Sequence, residues 1–289
     1  MGRGMALKAE DIAGNLALPG CIRRQSQALV LAFEANPRVS AVFATQQRWL
    51  MAHAGLMLHF RGSLGQGWKG LTLARLLEKV AEHNIASRNT ADAFIKELLK
   101  YGIVVHVPAA GDRRVRLIAP TPAGLDALMG WTYAHLTTLD GLDGGRRVAT
   151  FSTEENALAR LQPLIADGLL ASQPVREPER TFSLFTWLNN GGIVMDWLIS
   201  RIGAADADAE RIPAGVVSIA EFAGLLKLSR THLGRKLREA EQLGSIGWEG
   251  ARGRSVMWVS KGFREEYTAA QVIKLAIIDD AFDRCFAVA

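Results

Sequence analysis

Apolar residues recur at helical spacing along most of the chain. Leu73, Leu76, Leu77 and Val80 follow the i, i+3, i+4, i+7 rule of a single buried helical face. Asn84 to Ala86 form a short turn, and Ser87 supplies an N-cap. The next helix carries Phe94, Ile95, Leu98 and Leu99 and stops at Gly102. The period then drops to two. Ile103 to Val107 read as a strand, Pro108 to Asp112 as a turn, and Arg114 to Leu117 as a returning strand, together a hairpin. Thr121-Pro122 opens a closing helix with Leu125, Leu128, Met129, Leu136 and Leu139 on one stripe. Upstream, Leu29, Ala32 and Phe33 belong to a helix that Asn36-Pro37 ends. A second helix reaches from Val42 to Phe60 before the Gly-rich connection Gly62 to Gly70.

The second half runs through the same order. Ser152-x-x-Glu155 reads as a capping box before Leu158, Leu161 and Ile165. Gln173 to Arg180 is a connection, and Phe182, Phe185, Trp187 and Leu188 begin a helix extending to Ile202. Ala204 to Gly215 reads as an acidic loop. Ser218-x-x-Glu221 caps a short helix, Ser229 caps the next as far as Gly244, and Ser245 to Trp248 with Val256 to Val259 form a second hairpin. Ser260 caps the last helix, with Phe263, Tyr267 and Ala270 on one face.

Shifting the chain by 142 positions brings Ser87-Arg88 onto Ser229-Arg230, Glu97 onto Glu239, Gly102 onto Gly244 and Gly111 onto Gly253. A shift of 138 brings Trp49-Leu50 onto Trp187-Leu188, and both tryptophans are read as core anchors. The order of elements predicts an internal duplication of a domain-sized unit. The expected organisation is a loose tail over 1–21, one unit over 22–150, with Gly141 to Gly145 at the boundary, and a second unit over 151–289. The fold class is mainly α with small β-hairpin wings.

Helix, short turn, helix and hairpin make a winged helix-turn-helix, whose second helix enters the major groove while the hairpin meets phosphates or the minor groove. Ser87-Arg88-Asn89-Thr90, Leu98-Leu99-Lys100-Tyr101-Gly102-Ile103-Val104, Gly111-Asp112-Arg113-Arg114 and Thr121-Pro122-Ala123-Gly124 resemble the recognition helix, its exit, the wing and the following helix entry of the MarR-type regulators. The resemblance covers about 50 residues, from Leu73 through Gly124. The second copy departs from it, with Arg252-Gly253-Arg254 in the wing and Lys261-Gly262 at the helix entry. The resemblance implies a DNA-binding transcriptional regulator dimerising through terminal helices. A fused duplication would form that dimer within one chain.

Charge sharpens this. The chain carries 34 Lys+Arg against 29 Asp+Glu, a net +5. Between Ser87 and Arg116, six cations (Arg88, Lys96, Lys100, Arg113, Arg114, Arg116) oppose three acids (Asp92, Glu97, Asp112). Between Ser229 and Arg254, six more (Arg230, Arg235, Lys236, Arg238, Arg252, Arg254) oppose Glu239, Glu241 and Glu249. The excess thus sits on the two units expected to face double-stranded DNA. Candidate base or phosphate contacts are Ser87, Arg88, Asn89 and Thr90 on the first recognition helix. Ser229, Arg230, Thr231, His232 and Arg235 are their counterparts on the second. Arg113, Arg114, Arg252 and Arg254 are the wing candidates.

Other chemistries find little support. The six histidines lack H-x-x-x-H spacing, no G-x-S-x-G elbow is present, and Gly62 to Gly67 has no preceding strand and no following Gly-Lys-Ser/Thr. No catalytic residue, metal or cofactor is expected. Cys21 and Cys285 stand as two separate thiols, and no apolar run reaches the roughly 18 residues of a membrane helix. A cytoplasmic protein without a membrane partner is expected, with a small-molecule effector as a possible addition. The alternatives are a winged-helix protein-interaction scaffold, suggested by Asp92, Glu97, Glu239 and Glu241 on the basic faces, and a tandem winged-helix plasmid replication initiator.

Overall fold

The computed structural model describes residues 6–43, 45–64, 70–109, 112–203 and 208–286, and for 38, 41, 42 and 112–114 the backbone alone. The protein is mainly helical with two small antiparallel sheets. The first half contains α1 (Ala9–Ala13), α2 (Leu18–Ala35), α3 (Pro37–Val42), α4 (Gln46–Ser63), α5 (Leu73–Glu82), α6 (Arg88–Lys100), β1 (Val104–Ala109), β2 (Asp112–Pro120) and α7 (Pro122–Asp143). The second half contains α8 (Arg147–Thr153), α9 (Ala157–Ala171), α10 (Gln173–Arg176), α11 (Arg180–Thr186), α12 (Gly191–Arg201), β3 (Arg211–Val216), α13 (Ile219–Leu225), α14 (Arg230–Gln242), β4 (Ile246–Trp248), β5 (Val256–Ser260) and α15 (Lys261–Phe286).

Several local expectations are met by visible chemistry. Ser87 accepts the Thr90 N–H, Ser218 that of Glu221, and Ser229 that of His232. Ser260 accepts the N–H of Phe263 at 3.2 Å. Others are corrected. Residues 9–21 are not loose: α1 and the start of α2 bury Ile12, Leu18 and Cys21. Ser152 does not cap α9. It lies inside α8 and donates to the Val148 carbonyl, and Asn156 opens α9 in the left-handed region. Thr121 precedes α7, but its hydroxyl donates to the carbonyls of Gly102 and Ile103 instead of capping. Trp187 is 58% exposed, so it is no core anchor. Its helix breaks there because the chain turns through Asn190 at φ 57° into Gly191, where a Cβ would meet the Phe185 carbonyl oxygen at 1.6 Å.

The stretch read as an acidic loop contains β3, which pairs antiparallel with β5 through Ile212↔Val259 and Pro213↔Trp258. β5 also pairs with β4, giving the order β3-β5-β4. In the first half the position of β3 is taken by one bond, from the Ile118 N–H to the Leu71 carbonyl at 2.9 Å.

Two hydrophobic cores form, and neither divides at residue 150. The smaller joins α4, α5, α6, β1 and β2 with Ala166 and Leu170 of α9. The larger joins Ile22 and Phe33 of α2 and Leu136 and Leu139 of α7 with α9, α12, α13, α14 and α15. The reason is an exchange of helices: α4 packs along α9, and α12 packs along α2. α2 also lies on α7, and α9 on α15. Each half therefore lends its early long helix to the other half.

Polar groups are buried at this exchange. Gln25 Nε2 donates to Gln271 Oε1 at 2.9 Å, Ser26 and Tyr267 hydroxyls lie 3.0 Å apart, and Tyr267 donates to Asp196. Burial pushes the Asp196 carboxyl up to about 6, against the Tyr267 bond, the Lys274 charge and the Ser26 bond, which pull the other way. The folded carboxyl thus holds its proton more tightly than the unfolded chain does. Its contribution favours folding most below pH ~4 and is lost as pH rises through about 6. Asp196→Asn is therefore expected to raise the melting temperature at pH 7.5 and to flatten its fall between pH 4 and 7. Paired thermal melts across that range check this, and an equal pH slope in both proteins would refute it.

Candidate nucleic-acid interface

The pairs α5–α6 and α13–α14 are built alike. α5 presents Leu76 and Val80 to Ala91, Phe94, Ile95 and Leu98 of α6 in the smaller core. Between them the chain turns through Asn84 at φ 52°, and the Ile85 N–H returns to the Val80 carbonyl at 3.0 Å. In the second half Lys227 at φ 53° makes the turn, and the Leu228 N–H returns to Ala223 O at 2.9 Å. α14 buries Leu233, Leu237 and Ala240.

α6 and α14 are each 13 residues long and begin 142 positions apart. Their exposure patterns agree at every aligned position except Phe94, buried, against Lys236, half-buried. The exposed faces are Arg88, Asn89, Ala93, Lys96 and Lys100 on α6, and Arg230, Thr231, Arg235, Arg238 and Gln242 on α14. Thr90 and His232 lie half-buried at the edge, and the capping Ser87 and Ser229 are exposed. Both helices leave through a left-handed glycine, Gly102 at φ 65° and Gly244 at φ 71°. There the Ile103 and Ser245 N–H groups close on Leu98 and Ala240.

The acids on these helices are held aside. Asp92 pairs with Lys96 at 2.6 Å, Glu97 with Arg48 of α4, Glu239 with Lys236 at 2.7 Å, and Glu241 with Arg252 at 3.5 Å. All four are half-buried. Arg88, Arg230 and Arg238 pair with no carboxylate among the described residues. The outward faces are therefore net cationic.

The two hairpins differ from each other. β1 and β2 form the longer hairpin, with Val115 and Arg116 exposed. Arg113 and Arg114 fall in β2, and their side chains lie outside the described features. In the shorter β4–β5 hairpin Arg254 is exposed, whereas Arg252 turns inward and donates to the Gly234 carbonyl of α14 at 2.8 Å. The sequence places Arg252 among the wing candidates. Its guanidinium instead finds Glu241 and a helix carbonyl within reach, and braces the wing against α14.

No family model, no curated protein and no solved structure matches the chain.

The fold holds two further features. A groove of about 850 Å³ opens between α1, α2, α12, β3 and α15. Ile22, Ile199, Ile212 and Val272 form its apolar walls, and Arg23 and Arg264 line it as well. Its size suits a small apolar molecule. Elsewhere, Trp49, His53, Trp131 and His135 meet in edge-on and tilted contacts, with the His135 and Trp131 rings 4.1 Å apart. Burial, then the Lys274 charge, holds His53 down to about 3, and the same causes hold His135 well below its usual range. Both rings are neutral packing elements. Among the described residues no cluster of His, Cys, Asp or Glu fits a metal, and no helix is long and apolar enough to cross a membrane.

Proposed function

We propose that the protein is a DNA-binding transcriptional regulator, built as a duplicated pair of MarR-like winged helix-turn-helix units that act as a pseudo-dimer within one chain. The observation that carries this reading is the agreement of α6 and α14. They share length, cap, exposure pattern and exit glycine, and each presents an exposed basic face with its acids paired off. The reciprocal packing of α4 on α9 and α12 on α2 supports the pseudo-dimer, because it makes each half complete only with the other. A small-molecule effector, which the sequence reading allows, is assigned to the groove against α15, a helix that bonds to both α2 and α12.

Titration of a mixed-sequence duplex across a salt series tests the reading. With six or more phosphate contacts over the two units, affinity should fall about a thousandfold between ~50 and ~200 mM salt. No binding at ~50 mM salt would favour the protein-interaction scaffold instead. Binding confined to repeated origin-type sites would favour the replication initiator. Repeating the titration with a compound seated in the groove reads the effector arm, and an unchanged curve removes it.

A further inference from the structure

We propose that the duplex this protein selects has two unlike half-sites and no dyad symmetry, because α6 and α14 are different reading surfaces held at one copy each in a single chain. This rests on the DNA reading proposed above and goes beyond it by specifying the class of DNA recognised. A homodimer presents one helix twice, so its operator mirrors the protein's two-fold symmetry. Here the frame of the two helices is the same and the chemistry on it is not.

On the exposed face, Arg88 and Arg230 are equivalent and identical, while Asn89 corresponds to Thr231 and Ala93 to Arg235. At the half-buried edge, Thr90 corresponds to His232 and Asp92 to Gly234. These differences fall on groups that tell bases apart. An asparagine carboxamide pairs bidentately with adenine N6 and N7, a threonine offers a methyl to thymine and one hydroxyl, and an arginine pairs bidentately with guanine O6 and N7. Arg235 is free enough to do so. Its side chain is 63% exposed, and its contact with Glu239 is long, 3.8 Å. On α6 the same position is Ala93, which leaves that base-pair edge to an apolar contact.

The wings add to the difference. The first is a long two-stranded hairpin exposing Arg116. The second is short, carries the third strand β3, and commits Arg252 to α14, leaving Arg254 outward. The exchanged helices keep the heads in a one-to-one ratio: α9 of the second half sits on α4 of the first, and α2 of the first on α12 of the second. The chain thus has a defined polarity on its site, which a symmetric dimer lacks.

Selection of binding sequences from a random duplex library with the full chain tests this. The expected consensus has two dissimilar half-sites about 10 base pairs apart, centre to centre. Palindromes built from either half-site alone should bind about tenfold or more weakly than the mixed site. A palindromic consensus, or palindromes that bind as well as the mixed site, would overturn the asymmetry and leave DNA binding standing. No enrichment at low salt would overturn the DNA reading and the asymmetry together. In a second arm, the triple variant Thr231→Asn, His232→Thr, Arg235→Ala gives α14 the residues of α6 at the three positions where the exposed first turns differ most. Selection should then move towards a palindrome of the first half-site. An unchanged consensus would show that these faces do not do the reading. All three positions lie on the surface or its edge, so the variant keeps the core of α14 intact.

Discussion

Under the proposed function, replacing Arg88 and Arg230 together by alanine is expected to weaken binding to duplex DNA by at least about a hundredfold, and to reduce the salt slope by about two. Both residues open their helices directly after a serine cap, both are exposed, and neither is paired to a carboxylate among the described residues. Each stands where a helix terminus carries partial positive charge, so phosphate or guanine contact is favoured twice over. The two lie on separate helices with separate partners, so each single variant should lose about tenfold and the losses should add. Stability should be unchanged, because the caps are made by Ser87 and Ser229 and the buried faces are untouched. Fluorescence-anisotropy titrations at two salt concentrations, beside thermal melts, check both halves of the statement. Unchanged affinity with an unchanged melt would count against the assigned faces.

The parts of the site that were legible are those whose cause is local. A serine N-cap, a 3–4 apolar spacing and a terminal glycine fix α6 and α14 within their own residues, so their limits fall where the pattern puts them. Features whose cause is distant were not legible. β3 carries Pro213 and Gly215, which read as loop. It is a strand because it is an edge strand, where a missing N–H costs nothing, and because Ile212 and Ala214 turn inward. Residues 9–21 carry little periodicity of their own, and only the larger core explains why Ile12 is fully buried. Trp187 matches Trp49 by position, yet a helix break places one at the surface and the other beside His53. Arg252 reads as a wing cation until α14 brings Glu241 and the Gly234 carbonyl to it.

The exchange of helices belongs to the same class. Nothing in the apolar stripe of α2 says that it packs on α12 and α15 as well as on α7, and a division of the chain at residue 150 follows naturally from the glycines there. The polar contacts carry the missing information. Gln25 Nε2 to Gln271, and Ser26 with Tyr267 and Asp196, are bonds across the exchange, and a slipped arrangement that kept these groups buried would forfeit them.

Arg147→Met is expected to cause the largest loss of stability from a single surface-proximal change, about 3–5 kcal/mol. Arg147 is 11% exposed and follows the Gly144-Gly145 break read as flexible. Its guanidinium reaches Asp279 of α15 through Nε and, at 3.1 Å, through Nη2, and it grips Asp143 by two bonds of 2.8 Å. Asp140 accepts the backbone N–H groups of Arg147 and Val148 at 2.8 and 2.9 Å, so the break is pinned rather than loose. Asp279 is 2% exposed and also accepts the Leu7 N–H at 2.8 Å, tying the N-terminal segment to the same knot. Removing the guanidinium leaves that carboxylate buried without a counter-charge, which costs more than the ion pair itself contributes. The melting temperature should drop by roughly 6–20 °C for a chain of this size. Because α7, α8 and α15 share one core, the loss should appear as a shift of the whole transition and not as a separate early step. Adding Asp279→Asn to Arg147→Met removes the stranded charge and should recover part of the loss. A double variant no more stable than Arg147→Met would show that the contribution lies in packing and not in charge.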